Sequence, residues 1–111
     1  KVRVPEKIWP LRIWYMYDQD VCTLIDVNEQ ERKVKVKNFA DKIMFRAFGV
    51  VEDPDYNQYM EFLESRCFPE SRDKMKLILK DLGLPFYDPI MIIEKTEGRM
   101  AEDNFWIRIE R

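Results

Sequence analysis

Arg66 and Arg72 flank a corner, SRCFPESRDK at 65–74, in which Cys67, Phe68 and Pro69 stand between two helix-like patterns. A guanidinium group recognises phosphate or carboxylate through paired N–H donors, so one reading of this corner is a site for an anion or an acidic partner. The other reading is structural: the arginines bond the last carbonyls of the preceding helix and the acids Glu61, Glu64, Glu70 and Asp73. Cys67 divides in the same way. A neighbouring cation stabilises a thiolate, whereas a lone cysteine at the inner end of a helix behaves as a small buried apolar residue.

A second set of cations lies at KVKVKN, 33–38. In an extended chain Lys33, Lys35 and Lys37 project from one side and Val34 and Val36 from the other. With Arg32, this stripe fits a nucleic-acid backbone or an acidic protein surface. Lysines on an edge strand also prevent sheet-to-sheet association, which needs no ligand at all. The aromatic residues Trp9, Trp14, Tyr15 and Tyr17 form the third candidate. Leu11, Ile13, Tyr15 and Tyr17 share one face of LRIWYMY, which leaves Arg12, Trp14 and Met16 on the opposite face. An exposed Trp beside an Arg anchors protein interfaces, and a nucleic-acid base can stack on it. Cover by the N-terminal arm or a C-terminal strand is the structural alternative.

Catalytic equipment is sparse. The chain has no histidine, hence neither the commonest general base nor the commonest transition-metal ligand. Its three glycines, at 49, 83 and 98, each read as a helix stop, and no glycine-rich phosphate loop or nucleophile elbow is present. Asp18 with Asp20, and Asp53 with Asp55, are the carboxylate pairs within reach of a hard cation. Turn chemistry accounts for the first pair and helix capping for the second. Cys22 and Cys67 lie far apart with no CxxC. Buried thiols in a reducing compartment are expected rather than zinc. No catalytic, metal or cofactor residue is assigned, and the reading is of a non-enzymatic domain.

These residues must be carried by a small scaffold. A chain of 111 residues suits one domain over 1–111, and 46% hydrophobic content is enough for a core without disulfides or metal. The formal charge of -2 is uneven: residues 1–49 hold ten Lys or Arg against seven acids, and residues 50–111 nine against fourteen. A whole-domain nucleic-acid footprint is not indicated, only a local patch. No run of 18 apolar residues occurs, so no membrane span is expected and the cytoplasm is the expected location. The start at Lys1 rather than Met is expected of a trimmed chain or a piece of a longer protein.

Period-two alternation predicts an antiparallel meander of three strands at 11–17, 21–28 and 33–39, with turns near 18–20 and 28–32. In the second strand Val21, Thr23, Ile25 and Val27 share one face, with Cys22, Leu24 and Asp26 on the other. Helical spacing then predicts helices at about 41–48, 54–67, 71–82 and 89–97. Asp41, Asp53 and Asp88 are the expected caps of three of them, and Ser71 with Asp73 starts the third. The tail alternates as a further strand at 103–109. Strands followed by helices predict an α+β fold with helices mainly on one face of the sheet.

Residues 62–109 carry Arg66, Pro69, Arg72, an apolar helix ending in Leu82-Gly83, then Asp103 and Trp106. This stretch resembles a region of HipA-like proteins and of small uncharacterised proteins of bacterial mobile elements. The resemblance implies a bacterial accessory protein connected with toxin systems or transferred DNA. It implies no kinase activity, since no glycine-rich loop or catalytic loop accompanies it. The function expected is a protein-binding adaptor or inhibitor, with Arg12, Trp14 and Met16 at the contact. The alternative is a nucleic-acid-binding module using Arg32, Lys33, Lys35 and Lys37 together with Arg66 and Arg72.

Overall fold

The computed structural model describes residues 4–68 and 71–111. The interruption assigned to Pro69 lies outside them. Four strands, β1 (Leu11–Tyr17), β2 (Asp20–Asn28), β3 (Lys33–Asn38) and β4 (Phe105–Glu110), form one antiparallel sheet in the order β3-β2-β1-β4. Between β3 and β4 the chain makes a 3₁₀ turn (Ile43–Phe45) and three helices, α1 (Tyr56–Ser65), α2 (Met75–Leu82) and α3 (Pro89–Thr96). The α+β architecture, the N-terminal meander and the returning C-terminal strand are as the alternation predicts.

One hydrophobic core joins the inner face of the sheet to the helices. Leu11, Ile13, Tyr15, Ile25, Val27 and Ile107 from the strands meet Tyr59, Phe62 and Leu63 of α1 and Ile90, Ile92 and Ile93 of α3. Aromatic rings form a connected cluster within it. Tyr15 stacks on Phe105 at 4.8 Å and meets the edge of Phe62 at 5.0 Å. Burial of large rings with offset or edge-to-face geometry is the largest source of core stabilisation available to a chain of this size.

β1 and β2 are joined by the two-residue turn Asp18-Gln19, with Asp18 at φ 51°. Tyr15 pairs with Thr23 but Met16 pairs with Val21, so Cys22 is an extra, bulged residue. The bulge reverses the expected facing at this end of β2. Cys22 turns into the core, while Val21 stands opposite Met16 of the outer face.

Three helix starts differ from the sequence reading, each for a local reason. Residues 41–48 make only the 3₁₀ turn, and Asp41 caps nothing. The Ala47 N–H donates to the Thr23 hydroxyl at 3.0 Å, and Arg46 Nε donates to the Ala40 carbonyl at 2.8 Å. These tertiary bonds replace the helical ladder. Phe45 and Phe48 reach the core, while Ile43 and Met44 remain 49% and 76% exposed.

α1 begins at Asp55 rather than Asp53. Asp55 accepts from the Gln58 amide at 2.8 Å while Gln58 Oε1 accepts from the Asp55 amide at 2.9 Å. This reciprocal capping box satisfies two orphan donors, where Asp53 has no partner three residues on to do the same. α2 starts only at Met75, because Lys74 takes a left-handed conformation, φ 62°, and Ser71 and Asp73 do not cap it. α3 starts as predicted: Asp88 accepts from the Ile90 amide, and Pro89 opens the first turn.

α3 ends in two successive left-handed residues, Glu97 at φ 60° and Gly98 at φ 63°. A Cβ on Gly98 would lie 3.2 Å from Ile107 Cδ1 and 3.5 Å from Arg66 Cβ. Gly83 is also left-handed at φ 74°, but nothing lies within 4 Å of its Cβ position. Gly83→Ala is therefore expected to cost about 1–2 kcal/mol from backbone strain, and Gly98→Ala about 1–3 kcal/mol more from crowding. Urea denaturation of the two variants measures the difference.

Candidate functional site

Helices pack on one face of the sheet, and the other face carries most of the residues with chemical potential. Alternation places Arg12, Trp14 and Met16 of β1 on this outer face. Beside them stand Leu24 and Asp26 of β2, Lys33, Lys35 and Lys37 of β3, and Trp106, Arg108 and Glu110 of β4. The pairing builds cross-strand rows. Lys35, Asp26, Arg12 and Glu110 form one row, and Lys37, Leu24, Trp14 and Arg108 the next.

Arg12 is not available to a partner, contrary to the sequence reading. It is 3% exposed, and its Nε and Nη2 donate to the two carboxylate oxygens of Asp26 at 2.7 and 3.0 Å. An unpaired guanidinium could not be buried there; the bidentate pair satisfies it. The bulge at Cys22 shifts the register by one, and that shift sets Asp26 opposite Arg12.

Trp14 and Met16 are half-buried on this face. Trp14 Nε1 donates to Glu110 at 2.9 Å, and the Arg108 guanidinium lies 5.4 Å from its ring centroid. The other two tryptophans repeat the arrangement. Lys35 Nζ lies 5.3 Å from the Trp9 ring, and Arg99 5.0 Å from that of Trp106, whose Nε1 donates to the Asp18 carbonyl. All three tryptophans of the chain thus sit beneath a cation, an arrangement worth about 0.5–1 kcal/mol each at exposed sites.

Lys33, Lys35 and Lys37 are exposed and project together, as expected. Lys33 is paired with Glu31 at 3.2 Å. Lys35, Lys37 and Arg108 have no acidic partner among the described residues, and Lys37 lies over Phe39. Arg32 is drawn to the opposite side, where it lies over the Tyr56 ring at 5.3 Å. The N-terminal arm crosses the face: Pro5, Glu6 and Ile8 border a hollow with Leu24, Asp26, Lys35 and Lys37.

The corner arginines separate. Arg66 is 8% exposed and donates to the Gly98 carbonyl at 3.0 Å, to both oxygens of Asp103 at 3.0 and 3.1 Å, and to the Phe105 carbonyl at 3.0 Å. Its role is structural. The partner is Asp103, and not Glu61, Glu64 or Asp73; Glu70 lies outside the described residues. Arg72 is exposed, with its guanidinium 5.9 Å from the Phe68 ring. The sequence marks Arg66 as a corner arginine but brings in Asp103 only through the resemblance of 62–109, since 37 residues of separation give no local signal for the pair.

The remaining chemical candidates are accounted for by structure. Burial pushes the Cys67 thiol up to about 12, and its Sγ donates to the Pro89 carbonyl. Burial likewise raises Cys22, and it raises Tyr15 to about 12. These groups stay protonated at neutral pH, so neither thiol is an activated nucleophile. Asp18 lies in the β1–β2 turn and Asp55 caps α1. Among the described residues no cluster of three or more His, Cys, Asp or Glu gathers to hold a metal. A groove of about 550 Å³ is lined by Tyr17, Cys22, Phe39 and Phe45 together with Asp20, Asp41 and Lys42. No helix among the described residues is long and apolar enough to cross a membrane.

Comparison with protein-family models, with curated proteins and with solved structures finds no match to this chain. The face itself therefore carries the functional argument.

Two outcomes follow for the clamp. Arg66→Met strands the Gly98 and Phe105 carbonyls and is expected to lower stability by about 2–4 kcal/mol in urea denaturation. The hydrogen bonds from Arg66 hold the Asp103 carboxyl below its ordinary value. A lowered folded pKa contributes stability above the unfolded value, and that contribution is lost as pH falls through the folded one. Melting temperature should therefore fall more steeply below about pH 4 in the wild type than in Asp103→Asn, which has no carboxyl to titrate.

Proposed function

We propose that this domain acts by binding another protein rather than by catalysis, and that the helix-free face of the sheet is its docking surface. One observation carries this reading: a face with no helix on it presents Trp14, Met16 and Trp106 between cations, three of which lack an acidic partner among the described residues. Trp, Met and Arg are the residues enriched at interface centres. Charge complementarity assigns the partner an acidic contact surface. The elevated pKa values of both thiols support a binding role over a nucleophilic one. The bacterial accessory setting implied by the resemblance of 62–109 belongs to the same reading.

Trp14 is the anchor, while Arg12, committed to Asp26 on the same face, is a structural residue. Trp14→Ala is expected to weaken partner binding by about thirtyfold or more, the loss typical of a central interface Trp. The same change should lower the melting temperature by only a few degrees, in keeping with one exposed-side hydrogen bond worth about 1 kcal/mol. Affinity measured by calorimetry against the partner captured from source cells, beside the melting curve, checks both. Collapse of the fold would instead make Trp14 a core residue and remove the reading.

A second reading, single-stranded nucleic acid on the same face, is favoured by the tryptophan rings interleaved with Lys35, Lys37 and Arg108. Arg66 takes no part in it, because its donors are committed within the fold. Phosphate contact requires a steep loss of affinity with salt. A single-stranded oligonucleotide that leaves the tryptophan fluorescence unchanged at low salt excludes it.

A further inference from the structure

The two edges of the sheet are finished differently. On β4 three outward backbone groups are occupied: the Phe105 amide donates to Asp103 Oδ1 at 3.0 Å, the Phe105 carbonyl accepts from Arg66, and the Ile107 amide donates to the Glu97 carbonyl. Among the described residues the other edge has no such cover. The Phe39 amide donates to the Cys22 carbonyl at 2.9 Å. Hydrogen-bonded pairs alternate along an antiparallel ladder, so Lys37, Lys35 and Lys33 face β2, and the backbone groups of Val34 and Val36 point outward. Among the described residues nothing bonds these groups. The described part of the N-terminal arm, from residue 4 onward, borders Val36 without a hydrogen bond to β3.

Side chains along this open edge alternate in chemistry as well as direction. Lys33, Lys35 and Lys37 stand exposed on the outer face, while Val34 and Val36 are half-buried on the inner face and pack against the core. A strand added beside β3 would place alternate residues next to the lysines and the others against the valines. Two copies of β3 cannot satisfy this, because their lysines would oppose one another.

We propose that β3 is a strand-addition site whose occupant is an extended segment of a partner protein with acidic residues alternating with apolar ones. Its backbone pairs with Val34 and Val36, its acids meet the three lysines, and its apolar side chains complete the cover of the two valines. The proposal rests on the protein-binding reading above and supplies the chemistry of the partner.

The test uses the full chain and a blocked peptide of about eight residues alternating Glu and Val, long enough to span the strand. The peptide is expected to bind, to slow hydrogen exchange at the Val34 and Val36 amides, and to weaken with added salt. The Lys35→Glu, Lys37→Glu double variant should bind it about tenfold or more weakly. Val36→Pro removes an outward N–H at an edge position where proline is tolerated, and it should abolish binding with the melting transition retained. Should that variant fail to fold, exchange at the two amides in the wild type remains decisive.

Absence of peptide binding, binding without protection of those amides, equal binding by a folded Val36→Pro, or equal affinity for a Lys-Val peptide would each overturn the proposal. Protection that grows with protein concentration alone would make the edge a self-association surface and overturn it too. A natural partner that is lost on Trp14→Ala yet retained by Val36→Pro removes strand addition while leaving the docking face. Loss on neither variant removes both.

Discussion

The four hydrogen bonds of Arg66 hold the last strand of the sheet in place. They run from the end of α1 to Gly98, Asp103 and Phe105, the points at which the chain leaves α3 and enters β4. β4 is the only strand added from the far end of the chain, beside β1, and its closure over so many residues costs loop entropy that local pairing does not repay. The guanidinium supplies fixed, directional bonds there, and it lies within 6.0 Å of the Tyr15 and Phe105 rings. Gly98 completes the joint. Its left-handed backbone brings its carbonyl to Arg66, and a Cβ there would crowd Ile107 at 3.2 Å.

The proposed docking surface is a consequence of that closure. With β4 locked beside β1, Trp106 and Arg108 come to stand opposite Met16 and Trp14, and Glu110 reaches the Trp14 indole. Arg66, Asp103 and Glu97 together occupy outward groups of Phe105 and Ile107 on β4, whereas among the described residues the outward groups of Val34 and Val36 on β3 are left open. The buried Arg12–Asp26 pair plays a supporting part. It keeps the centre of the outer face polar yet satisfied, while Lys35 and Lys37 have no acidic partner among the described residues. A burial-neutral pair of this kind contributes register more than net stability.

The strands were legible in the sequence because one face is buried and the other is not, which makes a period of two visible in β1 and β3. Asp88-Pro89 and the glycine stops at 83 and 98 were legible because their chemistry is local. The start of α1 was also within reach: Asp55 followed by Gln58 is a capping box, and it outweighs the Asp53-Pro54 signal. Arg12 was misread as a surface residue because its partner depends on a bulge, and a bulge at Cys22 leaves no mark in the alternation that precedes it. Residues 41–48 looked helical because their apolar spacing is helical, but one bond from Ala47 to Thr23 redirects the segment. The joint between Arg66 and Asp103 depends on the whole topology, so neither spacing nor composition could announce it.

The account turns on one contrast, between an edge closed by Arg66 and its neighbours and an edge left open. Amide hydrogen exchange in the free protein, read residue by residue, tests it directly. The account predicts slow exchange at Phe105 and Ile107, whose outward amides are bonded, and fast exchange at Val34 and Val36, whose amides are not. Slow exchange at Val34 and Val36 in the isolated chain, or fast exchange at Ile107, would contradict it.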